Sequence, residues 1–122
     1  MRKLAIALGI IILLNTSCNN SNNNINITYS EDDQYYSMIA NFAKNKTRSV
    51  EKYMDYKLGH SSNMSFTNAS IDGRIALDDH TNFYIKKIPG HIKIKLDKNE
   101  NSPEAYNRVK AMCLGIKKVV IN

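Results

Sequence analysis

The segment with the strictest hydrophobic pattern, residues 91–97, constrains the fold more than any other part of the chain. Ile92, Ile94 and Leu96 alternate with polar residues, so their side chains point to one side of an extended strand. The side chains that point to the other side are His91, Lys93, Lys95 and Asp97. This pattern predicts a strand of an antiparallel sheet that is packed on one face and solvated on the other.

Further strands are predicted from alternation and turn chemistry elsewhere in the chain. Residues 25–29 alternate between apolar and polar side chains, and residues 83–88 predict another strand. Pro89 and Gly90 follow the second of these and are typical of a type II turn, because proline fixes φ and glycine accepts a positive φ. Residues 117–121 predict a closing strand.

A hairpin is predicted around Asp72 and Gly73, a dipeptide typical of two-residue hairpin turns. The apolar residues expected on its two strands are Met64 and Phe66, with Asn68, before the turn, and Ile75 and Leu77 after it.

Helical spacing occurs in two segments. The first has apolar residues at the spacing of one helix face; they are Val50, Tyr53, Met54 and Leu58. The second begins at Ser102 and Pro103, a capping hydroxyl followed by a first-turn proline. The pattern leaves open whether residues 106–116 are helix or strand, and the same holds for residues 36–42.

The N-terminal 17 residues have the composition of a bacterial export signal. Arg2 and Lys3 precede an apolar run over residues 4–14, and small and polar residues 15–17 follow. A membrane-spanning helix needs about 20 apolar residues, so this run predicts a cleavable signal rather than an anchor.

Cys18 stands directly after this segment, and the pattern resembles a bacterial lipoprotein signal. The resemblance implies cleavage before Cys18 and acylation of its thiol, so that acyl chains hold the protein on a membrane. Asn19 follows where an Asp would imply retention at the inner membrane, so the outer membrane is expected. Residues 18–24 then form the lipidated cysteine and an Asn-rich tether, and residues 25–122 form a single periplasmic domain.

The chain is basic, with 17 Lys and Arg against 11 Asp and Glu and a formal charge of +6. Removal of Arg2 and Lys3 with the signal leaves 15 basic and 11 acidic side chains, a charge of +4. An exported protein meets anionic lipid or acidic protein surfaces rather than nucleic acid. The lysines are scattered along the sequence, which is typical of a solvated surface.

The only tight cluster of acids with a histidine is Asp78, Asp79 and His80. It could act as a base or bind a metal, but an acidic turn after a strand is usually solvated. Cys113 lies among apolar neighbours and is expected to be a buried small hydrophobe. No nucleophile elbow, glycine-rich phosphate loop or paired-cysteine motif is present. The sequence therefore predicts no catalytic residue, no cofactor and no metal site.

Seven tyrosines supply amphipathic side chains of the kind enriched at protein interfaces. Without a catalytic constellation, this composition favours a binding or structural protein over an enzyme.

The order of features resembles that of the outer-membrane lipoproteins of type VI secretion systems (TssJ type). A lipidated cysteine and polar tether precede a strand at 25–29, an apolar segment at 36–42 and a short helix at 50–58. The resemblance implies a small two-sheet sandwich whose loops bind the periplasmic part of an inner-membrane secretion protein.

Residues 83–119 resemble the end of a BON domain, with a strand, a glycine turn, a strand, a helix and a last strand. This second resemblance implies an α+β fold that binds phospholipid or envelope partners.

The expected fold is therefore mainly antiparallel β structure with one or two helices, arranged as a small two-sheet sandwich, with an α+β fold of the BON type as the alternative. The expected protein is a lipid-anchored, periplasm-facing structural or adaptor subunit of a bacterial envelope complex. The alternatives are a BON-like envelope lipoprotein and a periplasmic inhibitor or immunity protein with a protruding loop at residues 78–82.

Overall fold

The computed structural model describes residues 25–59 and 65–122. The proposed signal, Cys18 and the Asn-rich tether lie outside the described residues, as do His60 and Met64. The described chain has an α+β fold, with one five-stranded antiparallel sheet and two α-helices.

The elements follow one another in the order ββαβββα. They are β1 (Asn26–Glu31), β2 (Tyr35–Asn41), α1 (Thr47–Leu58), β3 (Ile71–Ala76), β4 (Asn82–Ile88), β5 (His91–Asp97) and α2 (Pro103–Ile121). The strand order in the sheet is β1-β2-β5-β4-β3, and every pair of neighbours is antiparallel. The strand with the strictest alternation, β5, therefore lies at the centre of the sheet.

The core lies between one face of the sheet and the two helices. Ile92, Ile94 and Leu96 of β5 are at most 1% exposed, which confirms the packed face that the alternation predicts. The helical residues that pack against this face recur at helical spacing; they are Val50, Met54 and Leu58 of α1 and Val109, Met112, Cys113, Ile116 and Val120 of α2. The second layer of the fold is thus helical.

The expected two-sheet sandwich is wrong, because the residues that would supply its second sheet are helical. Residues 106–116 belong to α2, and the predicted closing strand at 117–121 is the end of the same helix. Val120 is 2% exposed and lies one helical turn after Ile116, so the helical spacing of buried residues continues to the end. Packing on the sheet outweighs the β-propensity of the final Val-Val-Ile run.

Residues 36–42, which were ambiguous by pattern, form a strand and its continuation. Tyr36, Met38, Ala40 and Phe42 are buried on the core side of β2. Ser102 caps α2 as expected, because its Oγ accepts a hydrogen bond from the Ala105 N–H at 3.0 Å.

The predicted hairpin turn at Asp72 and Gly73 is wrong, since both residues lie inside β3 and Gly73 is opposite Ile85 of β4. The turn between these strands is formed by residues 78–80, where the Leu77 N–H donates to the Thr81 carbonyl at 2.8 Å. Residues 65–70 are not a strand, although Phe66 is buried as an apolar residue of the core.

The edge strand β1 is held to α2 by Glu31. Its Oε2 lies 2.7 Å from the Lys98 Nζ, its Oε1 lies 3.3 Å from the Lys110 Nζ, and the Tyr106 hydroxyl donates a hydrogen bond to Oε2. The hydrogen bond from Lys98, followed by that from Tyr106, lowers the pKa of the Glu31 carboxyl from 4.5 to about 2.

Replacing Glu31 with Gln should therefore lower the free energy of unfolding at pH 7 by about 1 kcal/mol, allowing for solvent screening at this partly exposed site. A carboxyl whose folded pKa lies below its ordinary value stabilises the fold above pH 4.5, and this contribution is lost as the pH falls toward 2. Urea unfolding at a series of pH values should thus show a shallower acid dependence for Glu31→Gln than for the wild type. Asp33→Asn, at an exposed residue of the turn that follows β1, is the control. Equal slopes for wild type and Glu31→Gln would contradict the role of Glu31.

Candidate functional site

The face of the sheet that points away from the helices is the candidate site, and it is called the open face here. Side chains alternate between the two faces along each strand, and residues paired across neighbouring strands lie on the same face. The residues that alternate with the core residues therefore point away from the helices. The open face comprises Asn26, Thr28 and Ser30 of β1; Tyr35, Ser37, Ile39 and Asn41 of β2; His91, Lys93, Lys95 and Asp97 of β5; Asn82, Tyr84, Lys86 and Ile88 of β4; and Asp72, Arg74 and Ala76 of β3.

Three lysines that are apart in sequence meet at the centre of this face. Lys86 of β4 is directly opposite Lys93 of β5, and Lys95 of β5 is opposite Tyr84. Among the residues that the structure describes, no carboxylate oxygen lies within 4.0 Å of the Nζ of any of the three. Like charges directly opposite one another destabilise a sheet, so the Lys86–Lys93 pair lowers the stability of the isolated protein. The open face therefore carries positive charge that an anionic partner would neutralise.

A shallow groove of about 270 Å³ lies beside these lysines on the same face. Tyr35 and Tyr84 line it together with Lys95, Arg74 and Asp97. The Lys95 Nζ is 4.2 Å from the centroid of the Tyr35 ring, a cation–π distance. The groove therefore combines aromatic walls with an ammonium group that has no carboxylate within ion-pair distance among the described residues.

Polar contacts fix the side of the groove formed by β3. The Arg74 Nη2 donates to Glu100 Oε1 and to Asn82 Oδ1, both at 2.7 Å. The hydrogen bond and charge of Glu100 raise the pKa of the Arg74 guanidinium. The Tyr84 hydroxyl donates to Asp72 Oδ1 at 2.7 Å, and this hydrogen bond raises the pKa of the Tyr84 phenol. Arg74 and Tyr84 are therefore engaged, whereas Lys95 remains available to a ligand.

This arrangement is suited to binding. An ammonium group beside an aromatic ring can hold a carboxylate or phosphate while the ring supplies apolar contact area. The residues that the structure describes contain no group of three or more His, Cys, Asp or Glu side chains placed to hold a metal ion.

The acid–histidine cluster of the sequence lies in the turn between β3 and β4, away from the groove. Asp79 pairs with Arg108, whose Nη2 lies 2.5 Å from Oδ2, and its Oδ1 accepts the Thr81 N–H at 3.1 Å. Burial opposes ionisation of Asp79, but the hydrogen bonds from Thr81 and Arg108 outweigh it and lower the pKa of the carboxyl. His80 occupies the left-handed region with φ of 72°. The structure thus uses Asp79 to attach the turn to α2.

Residues 78–82, expected to protrude if the protein is an inhibitor or immunity protein, are also attached to the fold at Asn82. Asn82 donates its N–H to Asn101 Oδ1 at 2.9 Å and accepts from Asn101 Nδ2 at 3.0 Å through its carbonyl. The other histidine among the described residues, His91, is on the open face, with its Nδ1 2.7 Å from Asn41 Oδ1.

Cys113 is buried in the core with 0% exposure, as the sequence predicts. Burial raises the pKa of its thiol to about 12, so the nucleophilic thiolate is suppressed at neutral pH. Of the tyrosines, Tyr36 is in the core, Tyr35 and Tyr84 face the groove, and Tyr56 is exposed on α1.

Lys93 and Lys95 were predicted on the solvated face of β5, but the pairing of Lys86 with Lys93 was missed, although a signal for it existed. A two-residue turn at Pro89 and Gly90 places Ile88 opposite His91, and it follows that Lys86 is opposite Lys93. Arg74 could not be placed in the same way, because a turn was predicted at Asp72 and Gly73, inside the strand that carries Arg74.

Comparisons with models of protein families, with curated proteins and with solved structures found no match.

Proposed function

We propose that this chain is a lipid-anchored, periplasm-facing adaptor of a bacterial envelope complex, with no catalytic activity of its own. Acylated Cys18 holds it on the outer membrane, and the groove on the open face binds an acidic segment of a partner protein. The observation that carries the proposal is the cationic and aromatic groove around Lys95, Tyr35 and Tyr84.

The contacts of two reactive side chains, Asp79 and Cys113, support a binding role. Asp79 is committed to Arg108, and Cys113 is buried with its pKa raised to about 12. The export signal and tether of the sequence support a position at the envelope. No helix among the described residues is long and apolar enough to cross the bilayer.

The partner that fits this role best is the periplasmic part of an inner-membrane protein, as in a type VI-like secretion complex. The support for that context is the order of signal, cysteine and tether, since the sandwich that the resemblance implied is not the fold of this chain. A BON-like phospholipid-binding lipoprotein is the second candidate. It is favoured by the order of β4, the Gly90 turn, β5 and α2, although α2 continues through residues 117–121, where that family would have a strand.

The anchor is tested by replacing Cys18 with Ser and fractionating cells fed with labelled palmitate. We expect the variant to lose the label and leave the membrane fraction, because the acyl chains supply its attachment. Cys113→Ala is the matched control, since it removes the only other cysteine, and it should keep both label and location. A Cys18→Ser protein that remains in the membrane would refute the anchor.

The groove is tested by recovering cross-linked partners from envelopes that carry Tyr35→Ala with Lys95→Gln. We expect at least a tenfold loss of one inner-membrane protein with an acidic periplasmic segment, because charge-assisted contacts contribute strongly to such interfaces. Lys117→Gln with Lys118→Gln removes two exposed charges from α2 and is the control. Equal recovery by both double variants would show that the groove is not the binding site.

A further inference from the structure

The open face has a second region, beside the groove, in the half of the face where β1 begins. It consists of Lys86, Lys93, Ile39 and Ile88, and it is called the cationic end here. Ile39 is directly opposite Lys93, and Ile88 ends the strand that carries Lys86. Both isoleucines are exposed, 39% for Ile39 and 41% for Ile88, although they are large apolar side chains.

The cationic end combines two features that bind the surface of an anionic bilayer. Ammonium groups attract lipid phosphates, and apolar side chains enter the boundary between headgroups and acyl chains. The nearest acid in the same row is Asp72, opposite Lys86, and its Oδ1 accepts the Tyr84 hydroxyl at 2.7 Å. The other end of the face, with the groove, has among the described residues no large apolar side chain as exposed as Ile39 and Ile88. Ammonium groups and exposed isoleucines together therefore place such a contact at the cationic end.

The position of β1 places the cationic end within reach of the anchor. Asn26 is opposite Asn41, Asn41 is opposite His91, and His91 is opposite Ile88. Three strand steps of about 4.8 Å separate Asn26 from Ile88, about 14 Å in all. The eight residues from Cys18 to Asn26 span at most about 28 Å when fully extended. An anchored domain can therefore lay this end on the bilayer without strain in the tether.

We propose that the cationic end docks on the anionic phospholipid headgroups of the bilayer in which the acyl chains are inserted, with Lys86 and Lys93 contacting phosphates. This inference rests on the proposed anchor at Cys18 and adds a second contact that orients the domain. The docked domain keeps its groove in the other half of the face, which has, in the described part of the chain, no exposed isoleucine to enter the lipid boundary.

The test uses the acylated full-length protein in vesicles of phosphatidylethanolamine, with or without one third phosphatidylglycerol. An environment-sensitive fluorophore is attached to Ile88→Cys in a Cys113→Ala background, so that the label has one free thiol. We expect a blue shift and quenching by headgroup spin labels only in the anionic vesicles. The response should disappear at about 1 M salt, where the Debye length is about 3 Å.

The lysines are tested in the same preparation with Lys86→Gln and Lys93→Gln combined. The ratio of docked to undocked protein should fall about 25-fold, since each lysine near an anionic surface contributes about a fivefold effect. Glu104→Cys, at an exposed residue of the first turn of α2, carries the label as a control and should not respond.

Three results would overturn the proposal. They are an equal response in both kinds of vesicle, an unchanged response in the double lysine variant, and a response that requires an added envelope protein instead of anionic lipid. Mass spectrometry of the same preparation separates this proposal from the anchor. Acylated Cys18 without docking refutes only the cationic-end contact, whereas Cys18 without acyl chains refutes the anchor and the docking that depends on it.

Discussion

Replacing Glu51 with Gln should lower the free energy of unfolding by about 3–5 kcal/mol, because it leaves a buried lysine without its counter-charge. The Lys87 Nζ lies 2.5 Å from Glu51 Oε2, and the two side chains are only 2% and 5% exposed. Lys87 occupies an inward position of β4, where Phe83 and Ile85 are core residues. Glu51 Oε1 also accepts the Asn68 N–H at 3.1 Å, so the same carboxylate holds the segment before β3.

Urea unfolding followed by circular dichroism measures this effect, with Glu104→Gln as a control at an exposed glutamate of α2. The double variant Glu51→Leu with Lys87→Met should recover most of the stability, because it removes both charges and keeps apolar volume. A loss below about 1 kcal/mol for Glu51→Gln would show that water reaches the pair and screens it.

Replacing Gly90 with Ala should lower the free energy of unfolding by about 2–3 kcal/mol, the second largest effect expected for a single substitution here. Gly90 has a φ of 79°, and an added Cβ would lie 3.0 Å from the Phe42 carbonyl oxygen. The Phe42 N–H donates to the Gly90 carbonyl at 2.9 Å, so the backbone around this contact cannot move freely.

Gly73→Ala is the matched control, and the expected change has the opposite sign. Gly73 lies within β3 and a Cβ added there meets no atom within 4 Å, so alanine should stabilise by about 0.5–1 kcal/mol. Thermal or urea unfolding of both variants measures the difference. Destabilisation by Gly73→Ala would instead favour the turn that Asp72 and Gly73 indicate at the sequence level.

These two glycines show what could be predicted from local sequence and what could not. Pro89 and Gly90 join two strands whose apolar residues match in register, so turn chemistry and hydrophobic alternation agree. Asp72 and Gly73 have favourable turn chemistry, but a turn there would shorten β3 and lose the pairing of Ile71 with Lys87 and of Gly73 with Ile85. Burial of the inward face decides the register, and that burial depends on residues distant in sequence.

The antiparallel arrangement of the strands was predicted correctly, but the second layer of the fold was predicted as a sheet and is helical. Residues 119–121 have β-branched side chains, yet Val120 is buried on the same helical face as Val109. Local propensity did not show that α2 continues for 19 residues, because the burial of Ile116 and Val120 depends on residues distant in sequence. One sheet with a helical layer replaced the expected pair of sheets for this reason.

The candidate site, too, could be predicted from the sequence only in part. The wet face of β5 was predicted, including Lys93 and Lys95, because alternation within one strand is a local property. Tyr35 and Arg74 joined the groove only through strand order, since β2 and β3 lie on opposite sides of the β4–β5 hairpin. No pattern within either segment contains that information.

The attachment of β1 determines how the domain would respond to a pulling force at its N-terminal end. A force at Asn26 would separate β1 from β2 one pair at a time, beginning with Asn26 and Asn41 and ending with Glu31 and Tyr36. The Glu31 contacts to Lys98, Lys110 and Tyr106 lie at the end that separates last. Mechanical resistance should therefore rise as the strand opens, and the helix-packed core would remain folded until those final contacts break.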